Sequence, residues 1–137
     1  MNTPRPRRSR ALYLFLLALT VVLGLGSRIY RGSIPVVLDR YAGDTLWATA
    51  VVLLLAVLFP AARTTMLAAA AAAISLGVEF SQLFHPPWLD GLRRVPGVAL
   101  FIGYDFVWID LACYATGVLF GAFVDAIAFR GIPPLRR

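Results

Sequence analysis

The sequence predicts an all-α, polytopic membrane protein: four transmembrane helices in one bundle, with a short interfacial or re-entrant helix between the third and fourth. Three observations carry this. Hydrophobic residues make up 60% of the 137 positions, and the mean hydropathy is +0.78, far above a soluble domain, which is roughly half apolar. Four apolar runs are long enough to approach the ~17–25 residues a span needs. The positive charge, all of it arginine, gathers at the ends of those runs. That placement fits membrane orientation better than nucleic-acid binding, despite a net charge of +6.

Residues 1–10, with four arginines and two prolines, are expected to be a basic cytoplasmic arm, disordered or lying on anionic headgroups. The first span covers about 11–27. A basic region, an apolar run and the small pair Gly24 and Gly26 also resemble a signal peptide, but three further apolar runs make a retained helix the simpler reading. Residues 28–43 read as a loop punctuated by Gly32, Pro35 and Gly43, with the apolar stretch before Asp39 in the interface.

The second span covers about 44–59 and stops at Pro60. Asp44 stands where an N-cap is wanted, and Trp47 fits an interfacial belt. The turn 60–63 is tight, so the second and third spans are antiparallel neighbours. The third span, about 64–84, is Ala-rich in its first half, which admits a close neighbour. Its second half carries Glu79 and Gln82 on one face. Glu79 lies roughly 7 Å below the helix end at 1.5 Å per residue, too deep for a routine surface carboxylate.

Residues 85–104 form the longest connection. His85, the sole histidine, has no second histidine or cysteine cluster near it in sequence, so no metal or other cofactor is expected. The fourth span, about 105–129, places Asp105 and Asp110 in its first turns, where the helix dipole favours carboxylates. Asp110, Tyr114, Gly117 and Gly121 fall on one helical stripe. The two glycines permit close helix packing, within the chain or with a second copy. Asp125 and Arg130 read as a solvated pair of small energetic value. The tail 130–137 is basic and proline-rich. Cys113 is the only cysteine, so no internal disulfide forms; a small packing role is expected for it.

Four spans put both termini on one side. Eight arginines (5, 7, 8, 10, 63, 130, 136 and 137) share that side and five (28, 31, 40, 93 and 94) the other. The positive-inside rule then makes both termini cytoplasmic. Arg28, Asp44, Glu79, Gln82, Asp105 and Asp110 fall at one depth near the outer face, with Arg93 and Tyr114 as further members of a polar cluster. Intramembrane ionisable groups are functional candidates. The cluster reads in three ways. It forms a pocket for a lipid or amphiphile headgroup, with Arg28, Arg93 or Arg94 holding an anionic group. It is a structural ion-pair knot. Or it is a proton relay in a small transporter. No nucleophile motif or metal-ligand set is visible, so catalytic residues are not assignable and the reading leans away from an enzyme.

Three short motifs, Asp44-x-x-Trp47-Ala48, Glu79-x-x-Gln82 and Asp110-x-x-x-Tyr114-x-x-Gly117, resemble a bacterial four-helix integral membrane family of unknown function. That family is similar to the VanZ-like proteins, which are linked to glycopeptide (teicoplanin) resistance. The VanZ-like pattern has Glu-x-x-Gln on one helix, an arginine in the next loop and Asp-x-x-x-Asn-x-x-Gly on the last. Here Arg93 or Arg94 takes the place of the loop arginine, and Tyr114 that of the asparagine. The resemblance runs from about Arg28 to Asp125. It implies an integral membrane protein acting at the cell envelope; with the charge pattern and the polar cluster, the expectation is a bacterial inner-membrane protein with the bilayer and a lipid or amphiphilic small molecule as partners.

Overall fold

Prolines mark both ends of the second helix and the start of the fourth in the computed structural model, which describes residues 7–30, 32–33, 35–95 and 97–130. Four long helices, α1 (Arg10–Ile29), α2 (Val36–Leu58), α3 (Thr64–Ser81) and α6 (Trp108–Arg130), alternate with two short ones, α4 (Pro87–Arg93) and α5 (Val98–Ile102). The four long helices are apolar enough to cross a bilayer, so the chain is a multi-pass membrane protein. There is no strand among the described residues. Arg31 and the segments 1–6 and 131–137, the latter two comprising most of the basic arm and tail, lie outside the described residues.

Two boundaries differ from the sequence expectation. α2 begins at Val36, directly after Pro35, so the stretch expected to lie in the interface is helical. A proline is tolerated at a helix start, where its missing N–H costs nothing. Gly43 lies inside the helix, where the Arg28 side chain crosses it, with Nε 3.0 Å from where a Cβ would stand. Asp44 is therefore a helix-interior residue, not the N-cap, and Asp39 occupies the first turn. At the other boundary, α6 begins at Trp108, which leaves Asp105 in the preceding connection.

α2 is the hub. It packs against α1, α3 and α6, and α6 also packs against α3. α1 is the most peripheral span, and its Phe15, Val22 and Leu23 are exposed on the outside of the bundle, where lipid tails solvate them at no cost. On α3 the buried residues Leu67, Ala71, Ser75 and Glu79 recur every fourth position, one helical stripe. Ala48, Val52, Ala71, Tyr114 and Val118 form one core layer. Tyr13, Leu53, Ala56 and Leu67 form a second, nearer the termini of the chain.

The α2–α6 contact is set by two glycines. A Cβ on Gly117 would overlap the backbone carbonyl of Thr45, and one on Gly121 would stand 2.9 Å from Val52 Cβ. The stripe thus packs within the chain. Thr49 bridges the seam, its hydroxyl shared between the carbonyls of Thr45 (3.0 Å) and Gly117 (2.9 Å).

The expectations for the arm and for Asp125 are corrected together. Arg8 does not lie on headgroups, and Asp125 is not solvated: both are buried. Arg8 spends its five N–H donors on Asp125, Thr64 and the carbonyls of Pro60 and Ala62. Tyr13 and Thr64 donate to the same carboxylate, at 2.5 and 2.6 Å. This knot ties α1, the α2–α3 turn, α3 and α6 together at one end of the bundle.

Candidate functional site

The opposite end holds a polar cavity of about 90 Å³. α1 contributes Arg28 and α2 contributes Asp44 and Trp47; Gln82 follows α3 and Phe101 comes from α5. Gly103 and Asp105 lie in the connection, and α6 supplies Asp110 and Tyr114. Of the residues expected to cluster, six therefore line one cavity: Arg28, Asp44, Gln82, Asp105, Asp110 and Tyr114.

Local chemistry explains the arrangement. Arg28 sits in the last turn of α1 and donates to Asp44 Oδ1 at 2.9 Å, both side chains about a quarter exposed. Gln82 caps α3 and is 5% exposed. Its Nε2 donates to Ile102 O at 3.0 Å, whereas its Oε1 has no partner. Gly103 makes this contact possible. It adopts φ 67°, and a Cβ there would overlap Gln82 Nε2. Tyr114 is buried and tilts against Trp47, ring centroids 5.6 Å apart. Asp110 is half-buried and Asp105 exposed.

Glu79 and Arg93 are placed differently. Glu79 is fully buried and does not line the cavity. Its Oε1 accepts from Val107 N at 2.9 Å, which satisfies a donor at the start of α6, where the helix dipole favours a carboxylate. Its Oε2 has no partner. Arg93 is 1% exposed but serves the end of α3. It donates to Ser81 O at 2.8 Å, Phe84 O at 2.9 Å and Asp90 Oδ1 at 3.0 Å. An arginine beside the last carbonyls of a helix satisfies acceptors that have no intrahelical donor. Arg93 is thus a cap, not a cavity residue. Desolvation pushes the Asp90 carboxyl up, but the hydrogen bonds from Arg93 and His85 outweigh it and hold it below the usual 3.8.

An apolar groove of about 420 Å³ adjoins the cavity. Leu17, Val21, Gly24 and Leu25 of α1 form one wall; Leu46, Ala50, Val51 and Leu54 of α2 form the other. Arg28, Trp47 and Phe101 line both spaces. Sequence reading assigned Trp47 to an interfacial belt and left Phe101 in a short apolar stretch. Neither assignment contained a signal that both side chains line the two spaces.

The sequence matches DUF2809, described as a protein of unknown function, over residues 33–118. The chain belongs to the DUF2809 family. The matched region runs from just before α2 into the first half of α6. It contains every cavity residue of this DUF2809 member except Arg28, and none of Arg8, Tyr13 or Asp125. No solved structure matches the chain.

Proposed function

We propose that this DUF2809 protein holds an amphiphile within one membrane leaflet, its alkyl chain in the apolar groove and its headgroup in the polar cavity. One observation carries the reading: the two spaces share Arg28, Trp47 and Phe101, so a single molecule can occupy both. The dimensions agree. The α1 wall from Leu17 to Arg28 is about 16 Å long at 1.5 Å per residue, close to the ~15 Å hydrocarbon depth of one leaflet. An apolar enclosure with a few convergent polar groups is the usual build of a small-molecule site.

The finer assignment follows from charge and resemblance. The arginine balance of eight to five supports cytoplasmic termini and an outer-leaflet cavity in a bacterial inner membrane. The likeness of Glu79-x-x-Gln82 and Asp110-x-x-x-Tyr114-x-x-Gly117 to the VanZ-like pattern supports a role at the cell envelope. The function is binding. A proton relay through one chain would need ionisable groups at mid-depth. The spans carry no carboxylate, histidine or arginine between Arg10 and Arg28, between Asp44 and Leu58, or between Asp110 and Asp125.

Ala50→Trp fills the groove without touching the polar cavity. Lipids and amphiphiles co-purifying with wild type and variant are to be quantified by mass spectrometry after mild detergent extraction. Wild type is expected to retain an amphiphile that the variant loses. Equal retention by two equally folded proteins sinks the reading.

A further inference from the structure

We infer that the headgroup held in the cavity is a cation bearing N–H donors, the ammonium end of a single-chain amphiphile, and not an anionic group. This rests on the amphiphile reading above and adds the sign and hydrogen-bonding character of the ligand.

The sequence alone suggests the opposite, because arginines fall at the right depth. Their partners reverse it. Arg93 is committed to the carbonyls of Ser81 and Phe84 and to Asp90. Arg28, the cation at the cavity among the described residues, is paired with Asp44. What remains to meet a ligand is acceptor-rich. Asp105 and Asp110 line the cavity with no arginine of their own among the described residues.

Gln82 is the decisive residue. Its side chain is buried and lines the cavity. Its amide nitrogen is already spent on Ile102 O. The remaining atom, Oε1, is a buried acceptor without a donor. Such an atom left unmatched costs about 1–3 kcal/mol, and a ligand N–H removes that cost. A phosphate or carboxylate brings only acceptors and would meet two carboxylates and an amide oxygen.

The aromatic lining fits the same ligand. Trp47, Phe101 and Tyr114 all border the cavity, and ring faces attract ammonium groups through their quadrupoles. A 90 Å³ space accommodates a compact ammonium. Its attached chain leaves past Trp47 and Phe101 into the groove. The N–H donors matter because aromatic faces alone would accept a quaternary ammonium as readily.

Trp47 reports on the site. With Trp88→Phe and Trp108→Phe, both exposed in the parent, Trp47 is the one tryptophan left of three. That protein, in zwitterionic nanodiscs, is titrated with dodecylammonium, dodecyltrimethylammonium and dodecyl phosphate while Trp47 emission is followed. Dodecylammonium is expected to give a saturable change at a concentration about ten-fold or more below that needed for the other two, the scale of one charge-assisted hydrogen bond. Asp110→Asn and the exposed Asp105→Asn are each expected to narrow that gap; Asp105 lies outside the helices, so its variant remains a test if Asp110→Asn folds poorly. Phosphate binding as tightly as ammonium overturns the ammonium assignment and leaves the amphiphile reading standing. So does trimethylammonium binding as tightly, which removes the N–H requirement. No saturable change with any of the three probes overturns both.

Discussion

Arg8 and Asp125 lie 117 positions apart and form a bidentate, buried ion pair, with Nε–Oδ1 at 2.6 Å and Nη2–Oδ2 at 2.7 Å. The carboxylate also accepts from Tyr13 and Thr64, and the guanidinium rests over the Phe129 ring at 4.7 Å. Because every donor of the guanidinium is matched, the pair is a lock on the bundle and not a reactive centre. Removing one partner leaves the other charged and buried.

Arg8→Ala and Asp125→Asn are therefore each expected to destabilise the protein by about 3–5 kcal/mol, read as lost folded yield and a lower Tm in detergent. Arg8→Lys should not restore it, since an ammonium has three donors where five are used. The joint change Arg8→Met with Asp125→Leu should recover much of the loss, because it removes both charges at once. A single variant within about 1 kcal/mol of wild type would show that water reaches this end.

The two glycines of the α2–α6 seam should differ. Gly117→Ala drives a methyl into the Thr45 backbone carbonyl, which cannot step aside without moving α2. Gly121→Ala meets the Val52 side chain at 2.9 Å, which has some freedom to shift. Overpacking costs about 1–3 kcal/mol, so Gly117→Ala is expected near or above the top of that range and Gly121→Ala near the bottom. Thermal melts of the two variants give the order directly, and a reversed order contradicts the packing described.

Glu79 is expected to act through one oxygen. Glu79→Gln keeps an acceptor for Val107 N and should cost under about 1 kcal/mol. Glu79→Leu strands that buried N–H and should cost about 1–3 kcal/mol. Hydrogen exchange at the start of α6 separates the cases: faster exchange is expected in the leucine variant alone.

Asp90 supplies a pH signature. Its folded pKa lies below the unfolded 3.8, so the contribution it makes through Arg93 and His85 is fully present above 3.8. It disappears as pH falls through the lower, folded value. The Tm gap between wild type and Asp90→Asn should thus be flat from neutral pH down to that range and close below it. A gap that closes nearer neutrality would point to another titrating group.

Sidedness is testable at Trp88, which is exposed. In a Cys113→Ser background, Trp88→Cys should react with an impermeant maleimide added outside intact spheroplasts, as the arginine count requires. Labelling only after lysis would invert the orientation.

The reach of the sequence varied with the distance over which each feature is decided. The apolar runs mark four spans because hydropathy is a local sum, and the structure has four long helices over those runs, α2 alone starting well before its run, at Val36. Distance along a helix is also local arithmetic, and Arg28, Asp44, Gln82 and Asp110, grouped by it, line one cavity. The start of α2 was not legible, because Gly43 reads as a breaker by propensity and yet lies inside the helix, against Arg28. Asp125 next to Arg130 in sequence suggested a solvated pair, and nothing local announced Arg8. The nearest hint was a tyrosine and an aspartate, Tyr13 and Asp125, each placed among apolar neighbours.

By itself, then, the amino-acid order determined an all-helical membrane chain with four long apolar helices. Only the tertiary structure decided which polar groups meet. Arginine at the right depth is a free cation or a spent one according to its partner: Asp44 for Arg28, the Ser81 and Phe84 carbonyls for Arg93, Asp125 for Arg8. Depth follows from rise per residue along one helix. Pairing depends on which faces of separate helices turn toward each other, and glycine contacts such as Gly117 on Thr45 set that geometry. The acceptor-rich character of the cavity is a consequence of those pairings.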